Sequence, residues 1–476
     1  MTETISTMTY SQVIDGQPAE SADYFDVINP ATERIAGRAP QCTDEQIDRA
    51  MAAAVAASRS GWLRDKAKVA EALHRAGQVL SDNVDELAEV LMTEQGKPLE
   101  AARGEVLFSA AFLHYFADLE PASTPLGDGT AARGVVRTQP IGPTLAITAW
   151  NIPINLAVAK LAPAIAAGNP VILKPSPYTP LSTLRMGELL REVFPPGVLQ
   201  VLSGTDELGP KLTARPEIRK ITMTGSVGTG AKVYAAGAKD LKRVTLELGG
   251  NDAAILLDDY DAAAMNEPLF MAAFANTGQL CICAKRIYVP AERVDEIAEG
   301  LAAVAATMKV GPGTEPGVTM GPLQNKAQYD KVTELIEDAV AKGATVVTGG
   351  QRLPGEGYFM EPTILKGCRP GMRVVDEEQF GPVMPLIAYT ELDEAVEQAN
   401  GTEFGLGGSV WGADVERAES VASRVYSGMV WVNCHGEGQY PAQPFAGVKS
   451  SGLGAELGPW GLNAASDLRV DYTNLG

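Results

Sequence analysis

From residue 144 onward, short apolar runs alternate with helical ones, and this alternation constrains the chain more than any other feature. Residues 144–149, 171–174, 198–202, 220–224, 244–248 and 254–257 are β-prone and apolar almost throughout. Such runs, separated by helical segments, are strands buried on both faces of a parallel sheet. The pattern then repeats, with strands over 284–289, 345–348, 386–389 and 408–411 and helices over 291–308 and 326–342. At 476 residues the chain exceeds one ordinary core, so two or three domains are expected. Ligands of open parallel sheets lie at the carboxyl ends of the strands, and the motifs of the first half fall there.

Ahead of this region the pattern is different. Residues 1–38 suggest short strands and turns, with a turn at Asn29-Pro30. Thr43 followed by Gln46 predicts a capping box, and Gly61 the end of that helix. Residues 66–119 carry apolar residues at helical spacing, broken at Gly96-Lys97-Pro98. Residues 121–130, rich in Pro, Gly and Thr, predict a loop, and 133–139 a strand outside the main body. The tail ends in a strand over 468–472, which needs a partner from elsewhere in the chain or from another subunit.

Composition removes several classes of function. A net charge of −20 repels nucleic acid and anionic membrane surfaces, so neither is expected as a partner. No apolar run reaches the roughly 20 residues of a membrane span, and residues 1–16 lack the pattern of a secretory signal. Five scattered cysteines do not make a disulfide framework, which suits a reducing cytoplasm. The three histidines show no metal-ligand spacing, so no metal site is expected.

Four stretches carry chemistry. The first, F-A-N-T-G-Q-L-C-I-C-A-K-R, holds Cys281 and Cys283 after a Gly-Gln turn. A thiolate attacks carbonyl carbon, although an arbitrary buried cysteine is more often a small packing residue. Attack on an aldehyde gives an alkoxide, which needs donors worth on the order of 3 kcal/mol each. Asn151, in Trp150-Asn151-Ile152-Pro153, supplies a side-chain amide, and the Cys281 N–H a second donor; a plain turn residue is the simpler role for Asn151. Loss of hydride then leaves a thioester, whose hydrolysis needs a base. Glu247, in Leu246-Glu247-Leu248-Gly249-Gly250, suits that task if burial raises its pKa; an ion-paired strand end is its simpler role.

The remaining signals concern a dinucleotide. Lys174-Pro175-Ser176 follows a strand, where a lysine can reach ribose hydroxyls. Thr224-Gly225-Ser226-Val227-Gly228 joins a strand to a helix, so backbone and helix N-terminus can face a pyrophosphate, although it does not match G-x-G-x-x-G. In Glu378-Gln379-Phe380-Gly381-Pro382 a carboxylate can hold ribose hydroxyls beside a packing ring. Each signal alone is as well explained by a turn, a surface acid or a core aromatic.

Together and in this order, the stretches resemble the aldehyde dehydrogenase superfamily from about residue 29 to 461. The resemblance implies Cys281 as nucleophile, Glu247 as general base and Asn151 as oxyanion donor. It places cofactor contacts at Trp150, Lys174, Ser176, Pro177, Gly225, Ser226, Leu248, Gly249, Glu378 and Phe380. The late P-F-x-G-x-K-x-S-G run is present from Pro444 to Gly452. The implied α/β fold has two doubly wound parallel-sheet domains plus a small β oligomerisation domain. Residues 1–120 and 141–249 would bind the dinucleotide, 250–445 would form the catalytic domain, and 121–140 with 456–476 would bridge subunits of a homodimer or homotetramer. The implied cofactor is NAD, with NADP possible, and the implied partner a small-molecule aldehyde.

The sequence departs from the family in places. Pro177 stands where many members have a glutamate that excludes a 2′-phosphate, so the preference for NAD is modest. Ala446 and Ala455 replace a frequent glycine and arginine, without an assignable consequence. Cys283 gives the Cys-x-Cys of succinic semialdehyde dehydrogenases, in some of which it has a redox role; small-residue packing is its plainer role. The arginines that hold a substrate carboxylate there are Ala159 and Ala275 here. A mouth of Ile154, Asn155, Ala159, Leu280, Ile282 and the 434–443 loop therefore suggests an uncharged, aromatic or medium-chain aldehyde. The alternatives are a CoA-acylating semialdehyde dehydrogenase, in which Glu247 would be absent, and a non-catalytic binding or structural protein, in which Cys281 or Glu247 would be lost.

Overall fold

The computed structural model describes residues 10–127, 132–438 and 440–475. The predicted alternation becomes two open sheets. In the first, five strands run parallel in the order Arg243–Glu247, Lys220–Thr224, Thr144–Ile147, Val171–Lys174 and Leu199–Val201. Gly452–Leu453 adds an antiparallel strand at one edge, and Gln12–Ile14 with Gln17–Ala19 closes the other. The chain enters at Thr144–Ile147, winds one way, then returns to wind the other from Lys220–Thr224. The switch point lies between those two strands, and their carboxyl ends lead into Trp150-Asn151 and Gly225-Ser226. Such a crevice is where ligands of doubly wound sheets bind.

The second sheet has seven strands in the order Thr345–Thr348, Thr363–Cys368, Val383–Tyr389, Ala284–Pro290, Asp252–Leu256, Gly407–Trp411 and Met429–Val432. All pairs are parallel except that of Thr345–Thr348 with Thr363–Cys368. This sheet offers its amino ends to the same cleft: Cys281 precedes Ala284–Pro290, and Glu378 and Phe380 precede Val383–Tyr389. The carboxyl-end rule that locates the site in the first half is thus reversed in the second.

Thr43 caps Asp44–Arg59 with the full predicted capping box. The helical block is three helices, Lys66–Asp82, Val84–Gln95 and Leu99–Asp118, so a second break at Asn83 joins the expected one at Gly96. The predicted loop over 121–130 is corrected in part, since Ser123–Leu126 is an exposed edge strand paired with Ala132–Pro140. Pro125 is tolerated there because an edge strand has no neighbour on its other side. Residues 128–130 of that loop lie outside the described residues, as do residues 1–9 of the amino terminus. Ser466–Asn474 pairs antiparallel with Ala132–Pro140 along its length, so the tail finds its partner within the chain.

Candidate active site

The two sheets enclose a cleft of about 760 Å³. Its walls include Asn151, Glu247 and Cys281, along with Trp150, Gly225, Ser226, Leu248, Gly249, Glu378 and Phe380. Lys174, Ser176 and Pro177 are not among its lining residues. Lys174 is buried at the end of its strand, and its Nζ donates to the Pro175 carbonyl at 3.3 Å. Burial pulls its pKa down to about 8, opposed by the charge of Asp206.

Cys281 is positioned by the turn before it. Asn276 and Thr277 both take left-handed backbone angles, with φ of 50° and 59°. Each such non-glycine residue costs of order 1 kcal/mol or more and persists only where its surroundings fix it. Here Thr277 Oγ1 donates to the Gly321 carbonyl at 3.1 Å, and Asn276 Nδ2 to the Asn151 carbonyl at 3.1 Å. Gln279 donates to the Asn276 and Pro322 carbonyls and accepts from the Gln324 N–H. Gly278 is required at φ 71°, because a Cβ there would come within 2.2 Å of the Gly381 carbonyl oxygen. Buried Lys285 joins the turn to the Glu378 stretch, donating to the Ala273 and Gly381 carbonyls.

Cys281 keeps partial exposure through the cleft. Burial, then the carboxylates of Asp252, Glu247 and Glu378, push its thiol well above the ordinary range. It therefore rests protonated. Cys283 is buried, and its Sγ faces the Ala275 carbonyl. All five cysteines are free.

Asn151 leads into the helix Pro153–Ala166. Its Nδ2 donates to the Gln279 carbonyl at 2.9 Å, which orients the amide beside the cysteine turn and leaves its second hydrogen available. Its own carbonyl accepts from Lys97 Nζ at 3.1 Å. Lys97 pairs with Glu105 inside the protein, and Glu105 accepts from the N–H groups of Ile154 and Asn155. That carboxylate caps a helix whose proline-led first turn has free N–H groups.

Glu247 ends its strand at 2% exposure, and neither carboxylate oxygen has a hydrogen-bond partner. Burial, then the Glu456 carboxylate, raise its pKa well above 4.5, with Lys160 opposing. The late Pro444 to Gly452 run serves this residue: Gly452 lies opposite Glu247 in the antiparallel edge pair, and Ser451 accepts from the Leu248 N–H at 2.8 Å. Gly250 lets the cysteine loop approach, since a Cβ there would lie 2.1 Å from the Cys281 carbonyl oxygen.

On the opposite side, Ser226 caps the helix Val227–Ala238, and open space surrounds Gly228. Glu378 accepts from the Gly250 N–H at 2.9 Å, and burial raises its pKa. Trp150 and Phe380 meet edge to face at 5.2 Å. These groups, a helix N-terminus, a carboxylate and an aromatic pair along one wall, suit pyrophosphate, ribose and a flat ring respectively.

A model of the aldehyde dehydrogenase family matches residues 17–470. The chain belongs to that family. Among curated proteins it is 40% identical to a 3-sulfolactaldehyde dehydrogenase of Pseudomonas putida, over 96% of this chain and 95% of that one. It is 41% identical to a glutarate-semialdehyde dehydrogenase of Pseudomonas putida, over 93% of each. Its structure superposes on betaine aldehyde dehydrogenase of Staphylococcus aureus in complex with NAD+ with a TM-score of 0.95, at 30% identity, covering 99% and 96% of the two chains. This aldehyde dehydrogenase is an NAD(P)-dependent oxidoreductase acting on aldehydes.

The predicted mouth needs two corrections, at Ile154 and at His435. Asn155, Ala159, Leu280 and Ile282 line the cleft of this aldehyde dehydrogenase, whereas Ile154 lies fully buried in the core. A helix turns 100° per residue, so a face carrying 152, 155, 156 and 159 turns 154 away. From the 434–443 loop, Gly436 and Tyr440 line the cleft. His435 is instead buried behind the nucleophile, and Gln439 lies outside the described residues. The sequence reading missed Lys97, Glu105, Gln279 and Lys285. Gln279 and Lys285 stand in the cysteine stretch and Lys97 in the Gly96-Lys97-Pro98 break, but the Pro322, Gln324, Gly381 and Asn151 groups they meet are distant in sequence.

Proposed function

We propose that the enzyme oxidises an uncharged, apolar aldehyde to the free acid, with Cys281 as nucleophile, Asn151 and the Cys281 N–H as oxyanion donors, and Glu247 as base. The observation that carries this reading is Glu247: a buried carboxylate with two unpartnered oxygens in the wall of the cleft that holds Cys281. A structural acid in that place would be paired, because an unpaired buried carboxylate is costly.

Cys281 Sγ gives its proton to solvent water and bonds to the aldehyde carbon, and the carbonyl oxygen becomes an alkoxide held by Asn151 Nδ2 and the Cys281 N–H. Bound NAD(P)+ supplies the acceptor for the two electrons and hydrogen lost from that carbon. The acyl group is left as a thioester on Cys281. Glu247 takes a proton from water as the water oxygen attacks, and Cys281 leaves as the carboxylic acid forms. The pKa that burial raises makes it a stronger base than an exposed carboxylate, and the proton it takes passes to the departing Cys281 thiolate.

Trp150, Gly225, Ser226, Leu248, Gly249, Glu378 and Phe380 form the cofactor wall in this reading, with Lys174, Ser176 and Pro177 behind it at the adenosine end. No carboxylate stands at Pro177 to repel a 2′-phosphate, so the preference for NAD is modest and NADP is admitted. Residues 1–120 and 141–249 act as the dinucleotide-binding domain and 250–445 as the catalytic domain. Residues 121–140 and 456–476 form the bridge of a homodimer or homotetramer in a reducing cytoplasm.

On the aldehyde side, Phe108, Phe112, Tyr440 and Phe445 form a run of ring contacts 4.9 to 6.5 Å apart. Among the described residues two lysines line the cleft: Lys97 is neutralised by Glu105, and Lys331 donates to the Glu378 carbonyl on the cofactor wall. This supports an uncharged substrate, although the relatives are named for a sulfolactaldehyde and a glutarate semialdehyde. The test is absorbance of reduced nicotinamide with aliphatic, aromatic and acidic aldehydes, each with NAD and NADP. Aromatic or medium-chain aldehydes should turn over without CoA, and Cys281→Ala should abolish turnover while retaining fold and cofactor binding. Turnover only with CoA, or only of acidic aldehydes, would overturn the reading.

A further inference from the structure

Behind the nucleophile lies a second cluster that the reaction above does not use. His435 is fully buried, just past the strand Met429–Val432. Its Nε2 lies 2.8 Å from the Ile282 carbonyl oxygen, in the residue after Cys281. A carbonyl can only accept, so Nε2 carries a proton and donates. Its Nδ1 lies 2.9 Å from Ser409 Oγ, which accepts from Trp411 Nε1 at 2.8 Å. The ring is thereby held at both nitrogens, one end on the cysteine loop and the other on the strand Gly407–Trp411.

The fourth member is Asp252, 1% exposed, at the amino end of the strand beside that of the cysteine loop. Its Oδ1 accepts from the Gly407 N–H at 3.0 Å. Its Oδ2 is buried, accepts no hydrogen bond, and lies 3.4 Å from His435 Nε2. Gly407 is fitted to this carboxylate, since a Cβ there would come within 2.2 Å of Oδ2. A buried carboxylate oxygen left without a hydrogen bond is costly, and here it stands beside both an imidazole and the cysteine loop.

We propose that His435 and Asp252 are positioning residues for the nucleophile: His435 fixes the loop through the Ile282 carbonyl, and Asp252 sets the negative field against which the Cys281 thiol ionises. The inference rests on Cys281 being the nucleophile. The charged and titratable groups facing that thiol are Asp252, Glu247 and Glu378, with Cys283 and Tyr440 beside it; Asp252 and Cys281 flank one glycine, since a Cβ on Gly250 would lie 3.2 Å from Asp252 Oδ1 and 2.1 Å from the Cys281 carbonyl oxygen. Glu247 and Glu378 have roles in the cleft; Asp252 has none there, so its removal isolates the field.

The experiment is the rate of iodoacetamide alkylation of Cys281 against pH, read by mass spectrometry on the Cys281 peptide, which separates it from Cys434. Wild type, Asp252→Asn, His435→Ala and His435→Gln are compared, each with its melting temperature. Asp252→Asn removes the charge and keeps the shape, so its alkylation profile should move about one pH unit to lower pH. His435→Ala should slow alkylation and kcat about tenfold, with KM little changed, because the loop loses its anchor. His435→Gln can still donate to Ile282 and should recover most of that loss. An unshifted Asp252→Asn profile, or folded His435→Ala alkylating like wild type, would overturn the proposal. If His435→Ala does not fold, Asp252→Asn and His435→Gln decide. If alkylation of wild-type Cys281 leaves turnover intact, the nucleophile assignment itself fails; if it abolishes turnover while the variants match wild type, only this proposal fails.

Discussion

At the scale of single residues, the account rests on Glu247 being buried, unpartnered and raised in pKa. Only its deprotonated form can activate water, so kcat should fall as pH drops below that raised pKa. Its effect on stability follows from the same shift. The folded protein holds the proton more tightly than the unfolded chain, so the charged form is penalised only when folded. The penalty is absent below about pH 4.5, grows as pH rises toward the folded pKa, and is then constant. Glu247→Gln should therefore lower kcat by about a hundredfold or more and raise the melting temperature at pH 8 more than at pH 5. Scanning calorimetry at the two pH values checks the second part, and an equal shift at both would contradict it. Cys281 and Glu247 were legible because each sits in a short motif with a chemical task. Lys97 and Glu105 were not: they stand eight residues apart at the start of one helix, but the groups they serve, the Asn151 carbonyl and the Ile154 and Asn155 N–H groups, are far along the chain.

At the scale of elements, the site depends on backbones that approach too closely for side chains. Gly250 separates the base from the second sheet, and a Cβ there would collide with the Cys281 carbonyl. Gly250→Ala should destabilise the protein by about 1–3 kcal/mol and lower kcat more than it raises KM, measured by denaturant titration and steady-state kinetics. Lys97→Met tests the other support. It leaves Glu105 buried without its cation, which costs about 3–5 kcal/mol, and removes one of the two donors to the Asn151 carbonyl, leaving Asn276 Nδ2; the loss should appear in both melting temperature and kcat. The buried strands were legible because an apolar run between helices has few other uses. Ser123–Leu126 was not: it is short, contains Pro125 and is exposed along its length. Its strand character comes from pairing with Ala132–Pro140, a tertiary cause absent from its own residues.

At the scale of the whole molecule, two sheets meet with opposite polarity. The first presents carboxyl ends with Asn151 and Ser226, and the second amino ends with Cys281 and Glu378. The alternation of strands gave the two-unit architecture, but the sense in which the second sheet faces the cleft emerges only from packing. The third sheet leaves Leu468, Val470 and Tyr472 at 77%, 60% and 69% exposure on one face of the terminal strand. Exposed apolar positions of that size suit the docking face of the proposed oligomer. If the proposed oligomer forms through this face, Leu468→Glu combined with Val470→Glu should turn it into monomer in sedimentation velocity with the secondary structure retained; a wild-type protein that is already monomeric would contradict the proposal. Among the described residues no helix is long and apolar enough to cross a membrane.

The division of labour between Cys281 and Glu247 is tested most directly by a stopped-flow record of reduced nicotinamide in Glu247→Gln with an aromatic aldehyde. If Cys281 forms the thioester and Glu247 only hydrolyses it, the variant should give a burst of one equivalent per active site, followed by a steady rate about a hundredfold or more below wild type. A steady rate equal to wild type, or a complete absence of burst in folded variant that binds cofactor normally, would contradict the assignment.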